Sequence, residues 1–333
     1  EMQCALHPNT QVERYLRWVR ELLSSQVLDS PGGYPVYLKR WTRMGQARDE
    51  HLPQLLLLGE PEAVVAVVCA AGLTDELARR AWWAAPEADN ARRMLMRPAV
   101  AQGAMGPVLA HYLLEHLAFE TDPLTVMRTV QLILQPGLLT QAQCQTLWQQ
   151  AQRQTACRLG FLAAGVATIP EPASARPLPP SLQALAETGH PLAQFVAQSY
   201  SVMGQTFWYQ AAACLQQPVN QELVDALLQV IATFCRPARL QATLPDADWV
   251  QLQALCAAQE QQTEIAKFLT QFPELVAHWR ALALLAHLNY GVVRAIFAQG
   301  TAEGTLLTRK LMPVSEVLLA QLAQLTGTSC LLE

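Results

Sequence analysis

Along the chain, apolar positions recur at helical spacing in short runs, and proline or glycine closes nearly every run. Val12, Leu16, Val19 and Leu23 fall at i, i+4, i+7 and i+11, one face of a helix starting near Thr10. Ser30-Pro31-Gly32-Gly33 breaks that run. Gly59-Glu60-Pro61 separates LPQLLLL from EAVVAVVCA, and Gly72-Leu73-Thr74 closes the latter. Thr74 reads as an N-cap, with Asp75 and Glu76 in the first turn, where the helix dipole favours them. Pro86, Pro98, Gly106-Pro107, Asp122-Pro123 and Pro136-Gly137 continue the series. Helices of roughly ten residues joined by tight turns predict an all-α chain whose first half is an irregular, HEAT-like α-solenoid.

The spacing predicts one long helix over Thr140–Ala164. IPEPASARPLPP follows at 169–180, with five prolines in twelve residues. Proline fixes φ and cannot continue a helix, so this stretch reads as an extended linker or a loop laid across the surface. The expected organisation is therefore a solenoid-like domain over 1–168, a linker over 169–180 and a C-terminal helical domain over 181–331. In the last of these, His190–Gln217 reads as one long helix or two meeting near Gly204. Leu223, Leu227, Ile231 and Phe234 mark the next stripe, and Val314, Leu318, Leu322 and Leu325 the last. These predict a helical bundle. Only Met2–His7 suggests a strand, a small β remnant at the edge.

Composition agrees with a packed protein. The chain has 333 residues, 51% hydrophobic and 15% charged, enough for a sizeable core. A net charge of −4 argues against broad nucleic-acid or anionic-membrane binding, while leaving room for a local basic patch. Residues 1–168 hold 15 basic and 15 acidic side chains, against 7 and 11 in 181–333. The longest apolar run, near Ala63–Leu73, is about half a membrane span, so a soluble protein is expected. The opening Glu1-Met2, rather than an initiator Met, suggests that the native chain begins earlier.

Eight cysteines are scattered without a Cys-x-x-Cys pair, and most lie in apolar helical runs. That suits buried free thiols in a reducing compartment. Cys144 and Cys157 stand close to Arg153 and Arg158, and a nearby cation can stabilise a thiolate, so these two are the candidate reactive thiols. The competing reading makes them structural.

No motif for metal, nucleotide or nucleophilic chemistry appears. HYLLEH places His111 and His116 five apart, about 140° around a helix, too far for one metal. Glu187 and His190 have the Glu-x-x-His spacing of di-iron bundles, but the pattern crosses Gly189 and has no second copy. Neither a catalytic residue nor a metal or cofactor site is therefore assigned.

Two surfaces remain. Arg14, Arg17 and Arg20 lie three apart with Tyr15 and Trp18 between them, and Lys39, Arg40 and Arg43 follow beside Trp41. Cations interleaved with aromatics form a ridge for an anionic partner such as RNA, unless this is a solvated helix face with its aromatics packed inward. Arg79 and Arg80 precede Trp82-Trp83. Neighbours on a helix point about 100° apart, so one indole is expected to be partly exposed, and Trp beside Arg is a frequent interface anchor. The alternative is that both rings fill helix-packing grooves.

Three stretches carry a family resemblance: SPGGYPVYLKRWTRMGQARDE over 30–50, LLLLGEPEAVVAVVCAAGLTDELARRAWWA over 55–84, and 91–120 with ARRML and MGPVLAHYLLEHLAFE. Over about 30–160 the chain resembles the DsrS-type proteins, whose genes accompany the reverse-acting dissimilatory sulfite reductase system of sulfur-oxidising bacteria. The resemblance implies a cytoplasmic accessory protein of sulfur oxidation with no assigned catalytic residues. Three functions are open. The first is a non-enzymatic accessory or regulatory protein whose protein partner is a component of the sulfur-oxidising machinery or of its expression control. The second is a cysteine-based sulfur carrier or thiol-dependent enzyme, and the third an RNA-binding regulator.

Overall fold

The structure is a computed structural model that describes residues 11–16, 18, 19, 22, 51–57, 60–239, 247–297 and 304–327. The chain is all-α, and among the described residues there is no strand. The expected Met2–His7 strand lies outside them.

The described residues up to Ala118, with Gln135–Leu139, pack as one compact unit. After a helical turn over residues 12–16 its elements are α1 (Leu52–Leu56), α2 (Pro61–Cys69), α3 (Asp75–Ala84), α4 (Ala88–Leu95), α5 (Pro98–Ala101) and α6 (Met105–His116). Proline opens α1, α2 and α5, where the missing N–H costs nothing. Thr74 caps α3, its hydroxyl accepting from Leu77 N at 3.3 Å. Asp75 does more than answer the helix dipole. Its carboxylate accepts from Ala104 N (3.1 Å) and Met105 N (3.0 Å), supplying a cap at the start of α6. Leu55, Val67, Ala81, Met94, Leu95 and Leu109 form the dry centre of this unit. The apolar run of α2 is used there, with Val64, Val67 and Val68 buried. Among the described residues no helix is long and apolar enough to cross a membrane.

The second unit comprises Phe119–Leu134 and the described residues from Thr140 onward. It begins with α7 (Pro123–Ile133), α8 (Gln141–Ala151) and α9 (Thr155–Ala164). The single helix expected over Thr140–Ala164 is two. No glycine or proline marks the break at 152–154. Arg158 takes the carbonyl of Gln152 at 2.6 Å, and Trp148 meets Phe161 edge-on at 5.1 Å, so α8 is turned back against α9. Helix α9 also lies very close to α7, because a β-carbon at Gly160 would stand 2.6 Å from Val130 Cβ.

Next come α10 (Pro180–Glu187), α11 (Pro191–Tyr200), α12 (Val202–Gln216), α13 (Gln221–Phe234), α14 (Trp249–Glu260), α15 (Thr263–Gln271), α16 (Val276–Ala286), α17 (Gly291–Phe297) and α18 (Gly304–Thr326). Of the two readings of His190–Gln217, the structure takes the pair, α11 and α12. They meet at Ser201, which accepts from Gly204 N and donates to the carbonyl of Gln198. Helix α16 is buried around most of its circumference, from Trp279 through Ala286 except Arg280, and packs against α13, α14 and α18. Arg280 instead makes a two-pronged pair with Glu260 on α14, at 2.6 and 2.9 Å.

The proline-rich segment does not separate these two units; it lies inside the second. Ala173 N donates to Thr206 Oγ1 at 2.8 Å and Arg176 N to the carbonyl of Tyr200 at 2.9 Å. The Arg176 guanidinium crosses the Tyr200 ring and donates to the carbonyls of Gln324 and Leu325, the last turn of α18. This is the loop laid across a surface. Proline content alone cannot tell it from a free linker, because its anchors lie on other helices, from Tyr200 and Thr206 on to the end of α18, well over a hundred residues away.

Candidate functional site

Helix α3 presents the first candidate surface. Thr74 fixes where it begins, and the helical turn then sets the directions of its side chains. Trp82 turns inward, meeting Tyr112 of α6 edge-on at 4.7 Å. Tyr112 donates to the carbonyl of Pro86 at 3.1 Å and stacks on His116 at 3.8 Å. Trp83, one position on, is 86% exposed. One indole is thus structural and its neighbour bare, an arrangement that the 100° offset allows, and the alternative with both rings in packing grooves does not hold.

Arg79 and Arg80 both grip Glu76. Arg79 donates to its two oxygens at 2.8 and 2.7 Å, and Arg80 to Oε1 at 2.9 Å. These hydrogen bonds, from Arg79 first and then Arg80, hold the Glu76 carboxyl down to about 2. All three side chains are in water, so the cluster orients charge more than it stabilises the helix. Its sum is one positive charge beside a bare indole.

Of the basic ridge, Arg17, Arg20, Lys39, Arg40 and Arg43 lie outside the described residues. Arg14 lies over the Trp18 ring at 5.0 Å, so one cation–aromatic contact of the ridge is made within the chain itself.

The candidate thiols are placed unfavourably for reaction. Burial pushes the Cys144 thiol up, and the Cys157 thiol up to about 11. Cys157 donates to Gln154 Oε1 at 3.2 Å. Arg158, expected to stabilise a thiolate, spends its Nη2 on the Gln152 carbonyl. Cys214 is pushed up to about 12 and Cys256 to about 11, and Cys235 is also raised, all by burial first. Sequence reading passed over Cys69, which is half-buried and has Arg93 Nη1 at 2.9 Å from its sulfur and Arg97 on its carbonyl. The signal was weak, because Arg93 is 24 positions away on another helix.

Among the described residues the candidate histidines stand apart. His111 faces Glu115 at 3.4 Å, while His116 lies against Tyr112. His190 caps α11 and stacks on Phe268, while Glu187 accepts from Gln183. Among the described residues no group of three or more His, Cys, Asp and Glu could hold a metal. Ser199 Oγ lies 3.0 Å from His278 Nε2, but both are buried, and the serine also accepts from Trp208 Nε1 at 3.1 Å. Burial drives His278 down to about 3. This is a buried, neutral packing network.

No family model, curated protein or solved structure matches the chain.

One concave feature was invisible in sequence. Within the second unit, α7, α9, α12 and α13 border a groove of about 630 Å³. Met127 and Leu162 line it beside Phe207 and Phe234, whose rings stack at 3.9 Å. Gln131, Gln198 and Gln229 stand at exposed positions of its wall, and Arg128 carries a charge there. No local motif announces it, since its walls come from four separate stretches of chain.

Proposed function

We propose that this chain is a non-enzymatic accessory or regulatory protein that works through a protein partner. The observation that carries the reading is Trp83, an indole 86% exposed beside the Arg79–Glu76–Arg80 cluster. Trp and Arg are enriched among the energetic anchors of interfaces, and such a face suits a partner with an apolar socket and an acidic rim. In this reading the short helices of the first unit form a solenoid-like array that presents that face. In this reading the partner belongs to bacterial sulfur oxidation in the cytoplasm, as the resemblance of residues 30–160 to DsrS-type proteins implies.

The test is native mass measurement of the chain recovered gently from cells oxidising sulfur. The expected result is the wild-type chain inside a larger complex. Trp83→Ala, or Arg79→Glu with Arg80→Glu, is expected to be released from it while melting as wild type does. A bare wild-type chain, or variants that stay bound, would sink the proposal.

A second reading, a cysteine-based sulfur carrier, is favoured by one observation at a different residue from those expected. Arg93 lies against the half-buried Cys69 sulfur, where a guanidinium would meet the charge of a persulfide. Recovery without reductant decides this: extra sulfur mass on the Cys69 peptide supports it, and an unmodified peptide removes it.

A further inference from the structure

The groove of the second unit has the size and composition of a small-molecule site, independently of the partner surface on α3. Ligand sites are concave, mostly apolar and furnished with a few polar groups that fix orientation. Here about 630 Å³ is available beside Met127, Leu162, Met203 and the stacked Phe207–Phe234 pair. Met203, one of the lining residues, is left 41% exposed, although an apolar side chain gains by being covered.

The charge on this wall indicates the sign of the occupant. Arg128 is the one charged side chain lining the groove among the described residues, and it is exposed. Its electrostatic partner there is Asp122, whose carboxylate already accepts from Thr125 N and Thr125 Oγ1 at the cap of α7. Among the described residues the Arg128 guanidinium makes no hydrogen bond or close ion pair, which leaves its fork available to an incoming anion. The character of the body follows from the rest of the wall. Phe207 and Phe234 face each other, and Phe207 and Phe234 each also meet Trp208 edge-on. The remaining apolar wall is aliphatic and thioether, which adapts to a flexible chain.

We propose that this groove binds a small amphipathic carboxylate, an aliphatic body lying along α9 and α12 with its carboxylate paired to Arg128. One negative charge and an apolar chain are the two properties that the wall complements.

The probe is laurate, titrated calorimetrically into the full chain below its micelle concentration, with dodecanol as the uncharged control. The expected result is one site per chain. Arg128→Glu is expected to weaken laurate at least tenfold, with Arg128→Lys falling between it and wild type. Ala226→Trp, which puts an indole into the groove, is expected to abolish binding. Thermal melting of each variant keeps folding separate from binding. No laurate binding, undiminished binding by folded Arg128→Glu or Ala226→Trp, or equal preference for dodecanol would overturn the proposal. Sedimentation of the same samples tests the other occupant: a dimer that excludes laurate would mean that a second chain covers the groove, and would overturn it as well. Neither result touches the partner reading, which depends on Trp83.

Discussion

Gly103 and the Asp75 carboxylate occupy adjoining space: a β-carbon on the glycine would overlap the carboxylate that caps α6. Gly103→Ala must therefore displace either the cap or the backbone near Ala99. The expected cost is about 1–3 kcal/mol, in the range for overpacking. Asp75→Ala, which orphans the amides of Ala104 and Met105, is expected to cost about 1–2 kcal/mol. Because both act through the same contact, the double variant should cost less than the two singles added. Urea unfolding of the three chains checks this, and strict additivity would refute the coupling.

The buried histidines predict acid sensitivity. Burial holds His278 at about 3, against 6.5 when unfolded, and His287 is lowered by burial and then by Arg239. A depressed histidine leaves the unfolded chain binding the extra proton. Stability is then full above about 6.5 and falls with decreasing pH until the folded value is reached. His278 alone implies roughly 1.4 kcal/mol per pH unit below 6.5. Denaturation at pH 7 and pH 5 should show the fall, and His278→Gln should be less stable but flatter between those pH values. An unchanged slope in the variant would assign the sensitivity elsewhere.

Glu76 behaves in the opposite sense. Its carboxyl is held at about 2 by Arg79 and Arg80, so its contribution is present above its unfolded value of 4.5 and is lost as pH falls toward 2. Carboxyl NMR should find it ionised at pH 3.5. Replacing both Arg79 and Arg80 by Gln should move its midpoint upward, toward the ordinary glutamate range.

Native alkylation should discriminate among the thiols. Cys69 and Cys144 are half-buried, while Cys157, Cys214, Cys235 and Cys256 are buried. The first pair is expected to label before unfolding and the other four only after it, as read peptide by peptide. Early labelling of Cys157 would mean that α9 opens readily.

The tryptophans should divide just as sharply. Trp279 is fully buried in the first turn of α16, and Trp279→Ala is expected to cost about 3–5 kcal/mol. Trp83→Ala should remain within about 0.5 kcal/mol of wild type. A large loss at Trp83 would show that its ring supports the fold and is unsuited to be a partner anchor.

What the sequence by itself determined is local. Helical period, proline at helix starts, the Thr74 cap and the Asp122-Pro123 start each depend on residues within about one turn, so they can be read along the chain. That Trp82 and Trp83 point different ways also follows from one helix's geometry, whereas Tyr112 on α6 decided which of them packs. Tertiary structure decided the rest. The break between α8 and α9 rests on Arg158 and the Trp148–Phe161 contact, with no helix breaker at the joint. The proline-rich segment belongs to the second unit because Arg176 reaches the end of α18. The Cys69–Arg93 pairing and the groove around Arg128 both join separate helices. Periodicity reports which face of a helix is buried, but not which other helix buries it; that choice is made by packing between distant residues.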